Sequence, residues 1–403
     1  MVDWLYIDFN SFFASCEQQE NPRLRGKPIA VVPMITDSTS CLAASYPAKA
    51  FGIKTGTKVS EAKKMCPGLI LVPCHHATYT RYHHRAIEVI ESCLPIHSVC
   101  SIDEICCELT GSHKNLEVAK EQCYKIKNAL AEKLGISLTV SIGLGPNILL
   151  SKMAADMKKP DGLTWIERNE LPHKLYPLKL RDIPGVGQKM EWRLNQQGIR
   201  TMEELLALNE QQMRAVWKSI VGARYYRLFK GESLHTKRGE QKSLSHEHVL
   251  PPIERNYSSA GIILQKLLVK AALRLRRGEW MTKKVSVSVR FMNGERWNED
   301  LSFHETQDTS LMISYLLKAY KKCPRQLKPI KVGVALFDFV AEKNHQLSFF
   351  ENEKKSAFFK VVDKINDKYG KNTLHLASLH EHLGAAPTHI AFSRIPELDE
   401  LED

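Results

Sequence analysis

The stretch "SVCSIDEICCELT", residues 98–110, sets two adjacent carboxylates, Asp103 and Glu104, between the apolar segments "SVCSI" and "ICCELT". Strand-forming residues flank them on both sides, so the acids lie at or beside a turn between two strands. Neighbouring residues on a regular strand point to opposite faces. Both acids reach one site only if the chain bends there, and a bend is expected. Charge in so apolar a setting also needs a partner. Two assignments compete: the cysteines are metal ligands and the acids incidental, or the acids are the site and Cys100, Cys106 and Cys107 pack the strands that hold them.

The 403 residues carry 57 Lys and Arg against 45 Asp and Glu, a net charge of +12, with 43% hydrophobic content. That length accommodates about two to four domains. The basic excess favours a polyanionic partner. No apolar run approaches the roughly 20 residues of a spanning helix, and "MVDWLYIDF" has no basic leader before an apolar stretch. No membrane association and a cytoplasmic location are expected. The ten cysteines show no C-x₂₋₄-C pair followed by a second such pair, and free, mostly buried thiols are expected. Cys74, His75, His76, His83 and His84 fit no zinc spacing and read as a polar helix surface.

"VDWLYIDFN" reads as a strand ending at Asp8, followed by a helix at "SFFASCEQQ" and a buried strand at "KPIAVVP" (27–33). Residues 37–73 are expected to hold short helices around "AASYPAKAFGIKTG", punctuated by Pro47, Gly52 and Gly56. Helical periodicity returns at 79–94 and near 115–134; a strand "ISLTVSIGL" (136–144) and a helix over 147–157 follow. Strand–helix–strand–strand–helix–strand is the order of a ferredoxin-like split βαβ sheet. Residues 166–234 are helical in pattern, and "HTKRGEQKS" (235–243) reads as a linker. A second α/β unit then has strands "KKVSVSVRF", "EDLSFHET" and "IKVGVALFDFV" and helices near 257–277 and 309–322, with a less regular tail after about 342. The expected class is α+β, multidomain.

If the strand of Asp8 neighbours the 98–110 hairpin, three carboxylates converge at one sheet edge. They repel one another and need a cation. Oxygen ligands without His or Cys select Mg²⁺ or Mn²⁺, and two such ions serve in-line phosphoryl transfer. The competing reading is a solvated turn that carries two acids.

"YIDFNSFFASCE", "AASYPAKAFGIKTG", "CSIDEICCEL" and "SKMAADMKKPDGL" stand in the order and spacing of the Y-family (translesion) DNA polymerases, the family of the bacterial DinB- and UmuC-type enzymes. The resemblance runs from about residue 3 to 350. It implies a ferredoxin-like catalytic palm (1–19 and 74–165), small fingers (20–73), a helical thumb with a helix-hairpin-helix (166–234), a linker (235–243), an α/β little finger (244–342) and a C-terminal tail (343–403). The implied activity is template-directed addition of dNTPs to a primer 3′-OH on primer-template DNA, with low fidelity and damage bypass. By the same resemblance Asp8, Asp103, Glu104 and the Phe9 carbonyl hold two Mg²⁺ ions, for which Mn²⁺ can substitute. Phe13 falls at the steric-gate position, where a ring under the sugar clashes with a ribose 2′-OH. The Phe12 and Phe13 N–H groups, Tyr46, Lys49 and Lys159 would grip the triphosphate, with one ring of the Phe12–Phe13 pair packed inward. Relatives often have Thr at Ala43 and Arg at Lys49; Lys lacks the bidentate fork of Arg.

"IPGVGQKMEWRLNQQGI" (183–199) looks like the helix-hairpin-helix, its Gly185 and Gly187 bringing N–H groups onto a DNA phosphate. Between 266 and 296 lie nine Lys and Arg, and "KKVSVSVRF" presents Lys284, Ser286, Ser288 and Arg290 on one face. With Lys283, this basic surface is expected to bind DNA in a salt-dependent way. "QLSFF" (346–350) is similar to sliding-clamp-binding peptides, through Gln346, Leu347, Phe349 and Phe350. A monomer is expected, with accessory subunits left open. The rival functions are a non-catalytic DNA- and clamp-binding scaffold and another two-metal enzyme such as a nucleotidyl cyclase. The intact acids oppose the first, and the thumb and basic sheet oppose the second.

Overall fold

A computed structural model describes residues 1–234, 241–345, 353–390, 395–396 and 398–401. The chain divides into two units, residues 1–236 with 389–398 and residues 237–388 with 399–403.

In the first unit the order is β1 (Trp4–Phe9), α1 (Phe12–Glu20), β2 (Ile29–Val32), β3 (Ala43–Ala44), α2 (Tyr46–Lys49), α3 (Val59–Met65), β4 (Ile70–Pro73), α4 (His76–Glu91), β5 (Ser98–Val99), β6 (Glu104–Glu108), α5 (Leu116–Leu134), β7 (Val140–Gly145), α6 (Ile148–Met157) and β8 (Leu163–Trp165). The helices α7 (Gln188–Gln196), α8 (Met202–Leu206), α9 (Glu210–Trp217) and α10 (Ile220–Phe229) follow. Five strands form one sheet in the order β5-β6-β1-β7-β8, with β1 antiparallel to β6 and β7. Every residue of β1 is buried. Its odd positions, Leu5, Ile7 and Phe9, join the core that takes in Tyr79 and Ala86 of α4 and Cys123 and Ile126 of α5. Trp4 and Tyr6, on the opposite face, pack with Cys106 of β6 and Ala155 of α6. Asp8 shares that second face by alternation. Helix α6 lies directly on the backbone of β7: a Cβ on Gly143 would stand 2.0 Å from the Ser151 carbonyl oxygen. Residues 37–73, expected to be short helices, also supply β3 and β4, which flank β2 in a second sheet of order β3-β2-β4. Ala30 and Val32 point into a separate small core with Ile53 and Val59.

The second unit contains β9 (Ser243–Val249), α11 (Tyr257–Arg277), β10 (Trp280–Phe291), β11 (Arg296–Thr306), α12 (Thr309–Tyr320), β12 (Pro329–Ala341) and α13 (Glu353–Tyr369). Its antiparallel sheet runs β11-β10-β12-β9. Val285, Val287 and Val289 face Leu264, Leu268 and Leu275 of α11 and Leu316 of α12, as the alternation of "KKVSVSVRF" requires.

Three expectations change here. The linker ends early, because Ser243 already opens edge strand β9; residues 235–240 lie outside the described residues. The tail is less irregular than expected, since α13 folds back onto α11: Arg276, almost wholly buried, makes two hydrogen bonds with the Asp363 carboxylate at 2.6 and 2.9 Å. Part of the basic run over 266–296 is engaged within the unit itself. Lys266 Nζ donates to the His382 and Leu383 carbonyls, Lys270 Nζ to the Ala386 carbonyl and Arg277 to Asp367, so these cations hold the chain's own C-terminal segment.

Candidate functional site

The bend expected beside Asp103 is present. β5 ends at Val99, residues 101–103 turn, and β6 begins at Glu104. The turn is closed by the Cys100 and Ser101 N–H groups, which donate to the Glu104 carbonyl at 2.8 and 3.2 Å. Ser101 Oγ donates to the Asp103 carboxylate at 2.6 Å, and the Phe9 N–H donates to the Asp103 carbonyl at 2.9 Å, which ties the turn to the end of β1. From α4, His83 Nδ1 lies 2.7 Å from the Ile102 carbonyl. Burial pulls that imidazole down to about 4, so the ring is neutral at neutral pH and Nδ1–H is the donor. His83, expected on a polar surface, is therefore a buried anchor of the acidic turn.

Asp8 lies directly across from Glu104 in the β1–β6 register, and opposed residues share a face. Burial pushes the Asp8 carboxyl up to about 6, against the stabilising charge of Lys159; Asp103 is the next acid that raises it. Burial raises Asp103 as well. Lysines answer the acids. Lys159 Nζ is 2.7 Å from Asp8 and 2.8 Å from Asp156, while Lys152 pairs with Glu104, whose other oxygen accepts from Tyr6 Oη at 3.0 Å. Among the described residues no three His, Cys, Asp or Glu side chains close around one point as they stand. The donor set fits a hard divalent ion nonetheless: three carboxylates on two adjoining strands and their turn, Asp8 buried and the other two half-buried, with ammonium groups as the present counter-charge. Sequence reasoning missed Lys152, Tyr6 and Asp156. Their signal was available in part, since Lys152, Asp156 and Lys159 recur at a spacing of four and three residues, one face of a helix.

Tyr46 and Lys49 reach the same place. Lys49 Nζ sits 4.5 Å from the Tyr46 ring centre. Burial, then the nearby Lys159, lowers the Lys49 ammonium. Two lysines that repel one another beside a helix start are a pocket for a polyanion. Asn10, buried, fixes the loop that carries Lys159: its side chain accepts from the Asp161 N–H at 2.8 Å and donates to Ser141 Oγ at 2.9 Å. Ser11 precedes α1 in the left-handed region at φ 51° and gives the helix no side-chain cap, leaving the Phe12 and Phe13 N–H groups at an uncapped N-terminus. Phe12 is buried against Phe9, and half-buried Phe13 stacks on Tyr79 at 4.3 Å with rings 12° apart. Tyr79 Oη donates to the buried Glu17 carboxylate at 2.5 Å.

In the helical region, the 183–187 turn follows a short 3₁₀ segment (Leu180–Asp182) and leads into α7. Gly185 has φ +88°, and a Cβ there would meet Tyr225 Oη at 2.6 Å; that hydroxyl donates to the Pro184 carbonyl at 2.5 Å. A Cβ on Gly187 would meet nothing within 4 Å. Among the described residues, then, no neighbour demands glycine at 187. The turn and α6 line an open groove of about 680 Å³ that includes Lys152, Arg181 and Gly187.

On the second unit's open sheet face, Lys284 pairs with Asp300 at 2.8 Å, and Lys283 with Glu305 at 3.1 Å. Arg290 stands in register with Arg296 on one side and Lys331 on the other. Like charges directly opposed destabilise a sheet; Lys331 is answered by Glu247 of β9. Gln346, Leu347, Phe349 and Phe350 lie outside the described residues.

The impB/mucB/samB family model matches residues 7–156, its C-terminal domain model residues 241–349, and the IMS family HHH motif residues 168–199. The chain is 32% identical to DNA polymerase IV of Moorella thermoacetica, over 93% of this chain and 95% of that one. It is 31% identical to DNA polymerase IV 1 of Bacillus subtilis, over 91% and 90%. Among solved structures, a Y-family DNA polymerase chimera superposes with a TM-score of 0.71 at 25% identity, covering 84% of this chain and 99% of that one. An insertion ternary complex of the Dbh DNA polymerase gives 0.58 at 25% identity and the same coverage.

Proposed function

The chain belongs to the impB/mucB/samB family and is a DinB-like Y-family DNA polymerase of the translesion type, and from that premise we propose that Asp8, Asp103 and Glu104 are its metal-binding carboxylates. The observation that carries this is the opposition of Asp8 and Glu104 across β1 and β6, with Asp103 hydrogen-bonded to the same strand end. Mg²⁺, or Mn²⁺ in its place, supplies the positive charge that activates the primer 3′-OH and neutralises the triphosphate. Glu104 and Asp8, now paired with Lys152 and Lys159, would hold the ion together with Asp103, with the Phe9 carbonyl as a further ligand. Lys159, Lys49, Tyr46 and the α1 N–H groups hold the triphosphate. Phe13, held flat by Tyr79, lies under the sugar as the gate. Low fidelity and damage bypass belong to the same reading.

The test is primer extension by the purified chain with Mg²⁺ and all four dNTPs. Protein that binds primer-template but adds no nucleotide, with an Asp103→Ala, Glu104→Ala variant behaving identically, hands the function to the scaffold reading.

DNA is held without reading its sequence, by the Gly185–Gly187 turn and by the cationic row Arg290, Arg296 and Lys331. Lys284 contributes less while Asp300 neutralises it, Lys283 less while Glu305 does, and Lys331 less while Glu247 does. Arg290→Ala is expected to reduce the slope of log affinity against log salt by about 1, measured by fluorescence anisotropy on primer-template. An unchanged slope removes that residue from the interface. Gln346–Phe350 is the sliding-clamp peptide of this reading. Its deletion should abolish stimulation by the clamp and leave clamp-free synthesis intact, and stimulation that survives the deletion refutes the assignment.

A further inference from the structure

Cys100 was expected to pack a strand, yet it is exposed, while Cys106 is fully buried. In the β5–β6 hairpin Ser98 opposes Cys106, and the Cys100 N–H donates to the Glu104 carbonyl. Ser98, Cys100, Glu104 and Cys106 therefore share one face. Ser98 Oγ lies 3.0 Å from Cys106 Sγ and 3.9 Å from Cys100 Sγ, so one hydroxyl touches both thiols. Cys107, the adjacent thiol, alternates onto the other face and belongs to the main core. Tyr6 links the pair to the acid, since it contacts Cys100 and donates to Glu104.

We propose that Cys100 and Cys106 are an oxidative modification site, at which a peroxide closes a disulfide across the hairpin that carries Glu104. The exposed sulfur reacts first. Cys100 Sγ attacks one oxygen of hydrogen peroxide, the O–O bond breaks, and Cys100 sulfenic acid and one water result. Cys106 Sγ then attacks the Cys100 sulfur; the S–S bond forms, the S–O bond breaks, and a second water leaves. Two electrons pass from the thiols to the peroxide, and the two thiol protons end in the waters. The resolving thiol stands on the same face of the same hairpin, so only the two paired strands have to close for the sulfurs to meet.

Closure has a mechanical effect. Diagonal neighbours across an antiparallel pair sit about 7–8 Å apart at Cα, whereas a relaxed disulfide spans about 4.4–6.8 Å. The bond forms only as β5 is drawn toward β6, at the rung where Cys100 faces Glu104, and it takes Cys100 from Tyr6. A shift of about 1 Å in a ligand costs about 10²-fold in rate. The loss of synthesis rests on Glu104 being a metal ligand; the chemical modification does not.

The protein is treated with hydrogen peroxide and split: one portion is unfolded in denaturant so that every remaining thiol, buried Cys106 included, is alkylated and mapped by mass spectrometry, and the other is assayed by primer extension. In the wild type and in Cys107→Ser, Cys100 and Cys106 should escape alkylation together, with the mass of a disulfide. Extension should drop about 10²-fold and return with dithiothreitol. Cys100→Ser should keep Cys106 alkylatable and keep its activity through the same treatment. Cys106 remaining alkylatable in the oxidised wild type overturns the proposal, as does an equal loss of activity in Cys100→Ser. A disulfide without loss of synthesis overturns its coupling to Glu104. An untreated protein that never extends a primer counts against the polymerase site alone, because the thiol map is read without activity.

Discussion

Asp103→Asn is expected to lower primer extension by about 10³-fold, the scale at which removing a preorganised charge-stabilising group is felt. Folding should survive. The turn keeps its backbone ties, from the Phe9 N–H to the Asp103 carbonyl and from the Cys100 and Ser101 N–H groups to the Glu104 carbonyl. An asparagine side chain still accepts from Ser101 Oγ. Single-turnover extension at saturating dNTP and primer-template measures the effect, with circular dichroism as the control for fold. Activity within a few-fold of wild type would remove Asp103 from the metal site. The same assay carries a pH dependence. Burial pushes Asp8 up to about 6, so its proton competes with the divalent ion below that pH. Extension should fall as pH drops through about 6, and added Mg²⁺ should move the acid limb lower, because metal and proton exclude one another at one carboxylate. A limb insensitive to Mg²⁺ would show that another group titrates.

Phe13→Ala is expected to cut discrimination against ribonucleotides by about 10²-fold, the order of selectivity a pocket exerts against one added hydroxyl. Phe13 is only half-buried, with one ring face laid on Tyr79. Its removal leaves Phe12 packed with Phe9, so the core survives. The readout is the ratio of kcat/KM for dNTP and rNTP on one primer-template. A ratio that stays constant while both values fall would make Phe13 a packing residue and leave the sugar to another group.

The strands and helices that set this site were legible because their periodicities are clean. "WLYIDF" and "KKVSVSVRF" alternate as their two faces require, and the acids of 98–110 could be read with the bend they demanded. What stayed hidden was decided by distant partners. "SLSHEHV" forms edge strand β9, yet its outward side is polar and resembles a linker. The α11 lysines and arginines read only as part of a basic run, because nothing local announces that the carbonyls of residues 382–386 and the acids of α13 will take them. Lys152 reads as one more solvated helix lysine until Gly143 lets α6 rest on the sheet and brings it to Glu104. His83 looked like surface because its polar partner is a single carbonyl from the hairpin.

The docking of α13 alters what a partner can do to the second unit. β12 ends at Ala341, and α13 starts at Glu353 and is fastened through Phe359, Lys360 and Asp363. A load applied to α13 passes through the Arg276–Asp363 pair into α11 and through the Lys360–Glu342 pair to the end of β12. Helix and sheet are therefore coupled, and a partner that grips α13 would turn the sheet with it.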